Sequence, residues 1–106
     1  MVKLFKVVLS ENARKRLAEI FSYYKHHASQ STALKVHNRL LDAAQSLERF
    51  PESKPILPGT ENDKYPKRYS KAWSFKIIFT IFQKKRQVNV IDIYHDKQDP
   101  ENAGKV

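Results

Sequence analysis

The sequence predicts an α+β fold in which an N-terminal helical hairpin packs on one face of a twisted antiparallel sheet. Two segments between residues 10 and 50 carry apolar residues at spacings of three and four, which is typical of amphipathic helices. Segments 74–82 and 87–94 are rich in β-branched and aromatic residues and are separated by four polar residues, which is typical of a hairpin. With a first strand at residues 2–9, the predicted order is β-α-α-β-β-β in a single domain spanning residues 1–106.

The two helices are each predicted from a cap and an apolar stripe. The first begins after Ser10, whose hydroxyl is able to accept from the first amides of a helix. Its stripe comprises Ala13, Leu17, Ile20, Phe21, Tyr24 and Ala28. The second helix is predicted to start at a cap on Ser31 or Thr32, and its stripe continues to Phe50. Pro51 then ends it, because a proline disfavours the helical conformation in the residue before it.

The second half of the chain is predicted to form the rest of the sheet. Residues 51–66 hold four of the five prolines and therefore predict an irregular connection. The sequence "KRYSK" predicts a short strand. Pairing of the two long strands across residues 83–86 places Phe82 opposite Gln87, which in turn sets Lys76 opposite Ile93 and Ser74 opposite His95.

This register gives the sheet two unlike faces. The apolar face, expected against the helices, comprises Phe75, Ile77, Phe79, Ile81, Val88, Val90 and Tyr94, with Asp92 as an unexplained member. The opposite face is predicted to be open and to comprise Ser74, Lys76, Ile78, Thr80, Phe82, Asn89, Ile91, Ile93 and His95. An exposed patch of this kind usually marks a binding site, and Lys76 and His95 are expected to be diagonal neighbours in it.

The charge of the chain indicates an anionic partner. The formal net charge is +9, and residues 64–86 contain no acidic residue. The basic residues of this stretch are Lys64, Lys67, Arg68, Lys71, Lys76, Lys84, Lys85 and Arg86. Nucleic acid, an anionic lipid surface and an acidic protein all fit this balance, and a solvated face is the plain alternative.

Other classes are excluded by composition. The chain has no cysteine, so disulfides and thiolate metal sites are ruled out, which fits a cytoplasmic protein. No apolar run approaches the ~20 residues of a membrane span, and we expect no membrane association. The adjacent His26 and His27 point apart on a helix and have no carboxylate cluster beside them, so neither a metal nor another cofactor is predicted.

Four segments, taken together and in order, resemble the RelE/ParE superfamily of toxins from bacterial type II toxin–antitoxin systems. They are "LSENARKRLAEIFSYY", "LLDAAQSLERFPES", "WSFKIIFTI" and "VIDIYHDKQDPE", and they cover nearly the whole chain. The resemblance implies a growth-inhibiting toxin of a plasmid-stabilisation type, which a cognate antitoxin neutralises within a hetero-oligomer. The "RFPES" helix end and the "H-x-x-x-DPE" tail are closer to the ParE-like branch, which poisons DNA gyrase by binding.

The RelE-like branch implies a different activity, the ribosome-dependent cleavage of messenger RNA. That reaction needs a group to take the 2′-hydroxyl proton and cations to stabilise the phosphorane. By resemblance, the catalytic residues of such an enzyme would be Lys76, His95, Lys67, Arg68 and Lys97. A strand-ending surface histidine is the plainer role for His95. A third alternative, based on charge alone, is a non-toxic basic nucleic-acid-binding domain.

Two contact surfaces are predicted for these partners. Contacts with nucleic acid or with the target are assigned to Lys67, Arg68, Lys71, Trp73, Lys84, Lys85 and Arg86. Trp73 is able to stack on bases, although a lone tryptophan before a strand is more often a packing residue. Contacts with the antitoxin are assigned to the open face, at Lys76, Ile78, Ile91 and Ile93.

Overall fold

The computed structural model describes residues 4–95. Its helices and strands are β1 (Lys6–Leu9), α1 (Glu11–His27), α2 (Gln30–Gln45), β2 (Arg68–Ala72), β3 (Phe75–Phe82) and β4 (Gln87–His95). Two single turns of 3-10 helix, Ser46–Glu48 and Pro51–Ser53, lie between α2 and β2. The predicted α+β class and element order are confirmed. Within the described residues, no helix is both long and apolar enough to cross a bilayer.

The helices differ from the prediction at one cap and at one end. Ser10 caps α1 as expected, since its hydroxyl accepts from the Ala13 amide at 3.0 Å. The cap of α2 is Ser29 rather than Ser31 or Thr32, because the extended backbone of Ser29 lets its hydroxyl accept from the Thr32 amide at 3.0 Å. The link between the helices is therefore very short. The predicted extension of α2 to Phe50 is wrong, since the last residues form a tighter 3-10 turn instead.

The sheet has the strand order β1-β4-β3-β2. Strands β2, β3 and β4 pair antiparallel, as predicted. Strand β1 pairs with β4 in the parallel direction, so that the sheet as a whole is mixed. A parallel pair needs a long crossover connection, and the helical hairpin together with the rest of the chain up to β4 provides it.

The pairing of β3 with β4 follows the predicted register only as far as Val90. Phe82 lies opposite Gln87, and Phe79 lies opposite Val90. Ile78, the next residue of β3, lies opposite Asp92, which leaves Ile91 as the extra residue of a β-bulge. The predicted register beyond Val90 is wrong, because one inserted residue moves every later side chain to the other face.

The core lies between the helical hairpin and one face of the sheet. Both helices contribute small and branched residues, and the sheet contributes its largest apolar ones. The buried members are Phe5, Ala13, Leu17, Val36, Leu40, Ala44, Leu47, Phe75, Ile77, Phe79, Val88, Val90 and Ile93. Most of the predicted apolar face is therefore confirmed. Ile93, predicted on the open face, is buried in this core because of the bulge.

Candidate functional site

The bulge of β4 is held by the first turns of α1. The carbonyl oxygen of Ile91 accepts from the Ser10 hydroxyl at 3.2 Å and from the Asn12 side-chain amide at 3.0 Å. Asp92 Oδ1 accepts from the Ile93 amide at 2.8 Å and from Arg16 Nε at 3.1 Å. These bonds satisfy the backbone groups that a bulge removes from the ladder. Asp92 had no explanation as a member of the predicted apolar face. In the structure it connects the bulge to α1 through these hydrogen bonds.

Beyond the bulge, His95 faces the helices. It lies opposite Phe75, and the two rings meet edge to face with centroids 5.2 Å apart. A groove of about 470 Å³ opens beside them, between α1 and the end of β4. This α1–β4 groove is lined by Arg16, Glu19, Ile20, Tyr23, Tyr24, Phe75, Ile93 and His95. Its walls are mostly apolar or aromatic, and its rim carries the charged ends of Arg16 and Glu19.

The groove was not predicted. Ile20 and Tyr24 were assigned to the apolar stripe of α1, which fits their half-buried state. Tyr23 is 56% exposed and lies outside that stripe. The available signal was the pair of adjacent tyrosines, since adjacent helical positions point in different directions and only Tyr24 has the spacing of the stripe.

Lys76 lies on the other side of the sheet from His95. Its ammonium group is 5.0 Å from the centre of the Tyr69 ring, and its cross-strand neighbours are Lys71 and Tyr94. The prediction that Lys76 and His95 are diagonal neighbours is therefore wrong, since the bulge turns His95 towards the helices. Tyr94, predicted on the apolar face, takes the place beside Lys76.

The predicted antitoxin-binding set does not share one exposed surface. Ile93 is 1% exposed and belongs to the core, while Ile78 is 3% exposed on the outer face of the sheet. Lys76 and Ile91 are half-buried. The outer face is also less open than predicted, because the Tyr65 ring packs edge to face against Phe82 at 4.7 Å. The Tyr65 ring thus covers part of the apolar surface that the outward-facing residues of β3 form on this side of the sheet.

The basic residues predicted to contact a target have three different environments. Lys67, Lys71, Lys84 and Lys85 are exposed. The guanidinium of Arg68 donates to the carbonyl groups of Glu52 (3.1 Å) and Lys54 (2.6 Å), so it holds the connection against β2.

Arg86 is also tied into the fold, because its guanidinium lies 4.4 Å from the centre of the Phe5 ring. Arg68 and Arg86 thus have structural contacts, whereas the four exposed lysines supply accessible charge. Lys97, the remaining predicted catalytic residue, lies outside the described residues.

Trp73 occupies an unusual position for a tryptophan. It is the first residue of the two-residue turn between β2 and β3, and its φ of 57° is in the left-handed region. A side chain in that region costs about 1–2 kcal/mol relative to glycine. The residue is 53% exposed, so it is not the packing residue that was expected. Its ring contacts the guanidinium of Arg39 on α2, with Cζ 4.9 Å from the ring centre.

Within residues 4–95, no three histidine, cysteine or acidic side chains are grouped so as to hold a metal ion. The groove contains one histidine and one acidic residue, and the outer face around Lys76 is cationic and aromatic. The geometry of both regions is suited to contact with a macromolecule.

Comparison with known protein families decides the family of the chain. Residues 7–100 match the model of the ParE toxin of type II toxin–antitoxin systems, parDE. The chain belongs to the ParE toxin family. The predicted membership of the RelE/ParE superfamily is thereby confirmed, and the protein is a toxin of a type II toxin–antitoxin system. No curated protein matches the chain closely enough to be counted as a relative.

Solved structures share the fold of this ParE family member. A chain of the chromosomal ParDE system from P. aeruginosa superposes with a TM-score of 0.70 at 15% identity, covering 88% of this chain and 97% of that one. A chain of the RelBE2 toxin–antitoxin complex from Mycobacterium tuberculosis gives 0.63 at 16%, covering 90% and 93%. A chain of the archaeal RelE–RelB complex from Pyrococcus horikoshii OT3 gives 0.60 at 13%, covering 90% and 98%. At such identities the likeness establishes the fold alone.

Proposed function

We propose that this ParE family toxin inhibits growth by binding and poisoning DNA gyrase. The observation that carries the proposal is the separation of Lys76 from His95, which lie on opposite faces of the sheet. A toxin that acts by binding does not need these two side chains to act together. The family match supports the same branch, because the matched model is that of ParE.

The separation counts against ribonuclease activity for a geometric reason. A general base has to lie within hydrogen-bonding reach of the 2′-hydroxyl, and a cation has to stabilise the same phosphodiester as charge develops. Side chains on opposite faces of one sheet cannot contact a single phosphodiester together. Lys76 also contacts the ring of Tyr69. In addition, a lysine supplies only a point charge, whereas the planar guanidinium of an arginine is able to bind a phosphate through two hydrogen bonds.

The exposed charge supports a large anionic target. Lys71 lies within β2 and Lys67 immediately before it, and Lys84 and Lys85 lie in the β3–β4 loop. Charges of this kind raise the rate of encounter with an acidic partner more than they raise the final affinity. The complex of gyrase with DNA would present such a partner.

The second proposed partner is a cognate antitoxin. The solved relatives include chains described as parts of toxin–antitoxin complexes, and we propose a hetero-oligomer for this toxin as well. The α1–β4 groove is the surface best suited to an apolar segment of the antitoxin, because it is concave and lined by Ile20, Tyr23 and Phe75. The charged rim at Arg16 and Glu19 would orient that segment.

Induced expression of the toxin tests the proposed target. We expect double-strand breaks and an SOS response with intact transcripts, together with inhibition of supercoiling by purified gyrase. The variants Lys76→Ala and His95→Ala should inhibit growth as wild type does, because neither side chain is assigned a chemical step. Messenger RNA cut at ribosomal A sites, with cleavage abolished by either substitution, would refute the gyrase proposal and establish the ribonuclease alternative.

A further inference from the structure

We propose that the side chain of Trp73, whose orientation is restricted by Arg39, inserts into an acidic cleft of the toxin's folded target protein. The inference rests on the proposed function only in taking gyrase to be that target. The contact surface, here called the Trp73 corner, consists of Arg39, Lys71 and Trp73.

The first argument is that the backbone at this turn favours glycine. Trp73 has a φ of 57° in a turn of only two residues, and this region is the one that glycine adopts without a penalty. A residue held in a sparsely populated backbone region commonly has a functional reason to be there. Folding of the hairpin does not supply that reason, because Trp73 is 53% exposed and is absent from the core.

The second argument is the chemistry of the pair. Tryptophan and arginine are the residue types most enriched among those that dominate binding energy at protein interfaces. The guanidinium of Arg39 lies 4.9 Å from the centre of the indole ring, which restricts the ring before any partner binds. A side chain that is already oriented loses less entropy on binding. More than half of the Trp73 surface is still available for contact.

The charge around the corner indicates the sign of the partner. Lys71 is exposed two residues before Trp73 and lies opposite Lys76 across the β2–β3 pair. The stretch from residue 64 to residue 86 has eight basic residues and no acidic one. A cleft that accepts the indole ring therefore has to carry acidic groups around its mouth.

The shape of the corner indicates the kind of partner. Trp73 projects from the tip of a hairpin turn, so the partner must supply the concave surface. An extended or helical antitoxin segment fits the opposite arrangement, in which this chain supplies the groove. Single-stranded nucleic acid binds along rows of several aromatic side chains, whereas Trp73 is the lone tryptophan and its ring contacts the guanidinium of Arg39. A cleft in a folded protein meets these conditions best.

Glycine substitutions with a matched control test the role of the side chain. Phe50 is also an exposed aromatic residue in the left-handed region, with 61% exposure and a φ of 49°. Both Trp73→Gly and Phe50→Gly should leave the unfolding midpoint close to that of wild type, because each relieves the same backbone strain. For Trp73→Gly, the toxin concentration needed to inhibit growth should rise about thirtyfold, which is the effect of removing a dominant interface residue. Phe50→Gly should inhibit growth as wild type does, and Trp73→Phe should lose less than Trp73→Gly.

Fluorine NMR locates the contact directly. Since Trp73 is the only tryptophan, labelling with 5-fluorotryptophan gives one signal from the corner. The signal should broaden or shift on addition of the gyrase subunit that binds the toxin, and should stay unchanged on addition of oligothymidylate. Binding of gyrase with an unchanged signal would overturn the inference, and so would a response to the oligonucleotide alone.

Failure of the inference is distinguishable from failure of the proposed function. Wild-type toxin that stops growth without binding gyrase would refute only gyrase as the target. The growth inhibition by Trp73→Gly and Phe50→Gly would then still decide the role of the corner. Full toxicity of folded Trp73→Gly would overturn the inference whatever the target, and loss of neutralisation by the antitoxin with toxicity intact would reassign the corner to the antitoxin. A wild-type chain that neither binds gyrase nor slows growth would overturn both.

Discussion

Arg16 and Asp92 join the first helix to the bulge of the last strand, with 3.1 Å between Arg16 Nε and Asp92 Oδ1. The same carboxylate oxygen accepts from the amide of Ile93. Two elements that are far apart in sequence are therefore fixed at the point where the register of the sheet changes. Because this point decides which side of the sheet His95 occupies, the pair also decides which residues line the α1–β4 groove.

Removal of the Asp92 side chain should destabilise the protein more than removal of its charge. Asp92→Ala leaves the amide of Ile93 without its side-chain acceptor, and we expect a loss of about 2 kcal/mol in the free energy of unfolding. Asp92→Asn keeps a carbonyl acceptor and loses only a partly exposed ion pair, worth about 0.5–1 kcal/mol. Urea unfolding measures both. High salt should reduce the cost of Asp92→Asn, and equal costs for the two variants would contradict this assignment.

The two helix caps offer a second matched comparison. Ser10 accepts from the Ala13 amide and also donates to the bulge carbonyl of Ile91, whereas Ser29 bonds only within its own helix start. Ser10→Ala should therefore cost about 2 kcal/mol, and Ser29→Ala about 1 kcal/mol. Thermal unfolding of both variants provides the measurement. A larger effect at Ser29 would show that the bulge contact contributes little.

A charge in the α1–β4 groove should weaken antitoxin binding. Ile20→Glu places a carboxylate on an apolar wall, and burying it against an apolar segment is unfavourable. We expect the dissociation constant of the toxin–antitoxin complex to rise by about tenfold or more. Leu34→Glu is the control, because Leu34 is 46% exposed on α2 and is not among the residues that line the groove. Equal affinities for the two variants, measured by calorimetry, would exclude the groove as the antitoxin site.

The connection before β2 contains a group with a shifted pKa. The pKa of Glu61 is below its usual value of 4.5, because the backbone amides of Glu61 and Gly59 donate to its carboxylate. A lowered pKa in the folded state stabilises the protein above the unfolded value, and this contribution is lost as the pH falls through the folded value. NMR titration should show the Glu61 midpoint below 4.5. Glu61→Gln should raise hydrogen exchange at Gly59, and an unshifted midpoint would rule out these hydrogen bonds.

The sequence predicted the elements well because their signals are local. Ser10, the apolar stripes and the four-residue loop before Gln87 each depend on neighbours in the chain. The bulge at Ile91 depends on contacts with Ser10 and Asn12, which are about 80 residues away in sequence, and no local pattern marks it. One inserted residue was enough to exchange the predicted faces of Ile93, Tyr94 and His95. The fold was therefore predictable, whereas the composition of the site was not.

The parallel pairing of β1 with β4 also has a consequence for synthesis. The two strands join segments separated by most of the chain, since Ser10 and Ile91, which bond beside the β1–β4 pair, are 81 residues apart. Contacts of such long range form late, because a large loop has to close before they contribute. While β4 is still being translated, β1 has no strand to pair with and the α1–β4 groove lacks one wall. The α1–β4 groove is therefore complete only when nearly the whole domain has left the ribosome.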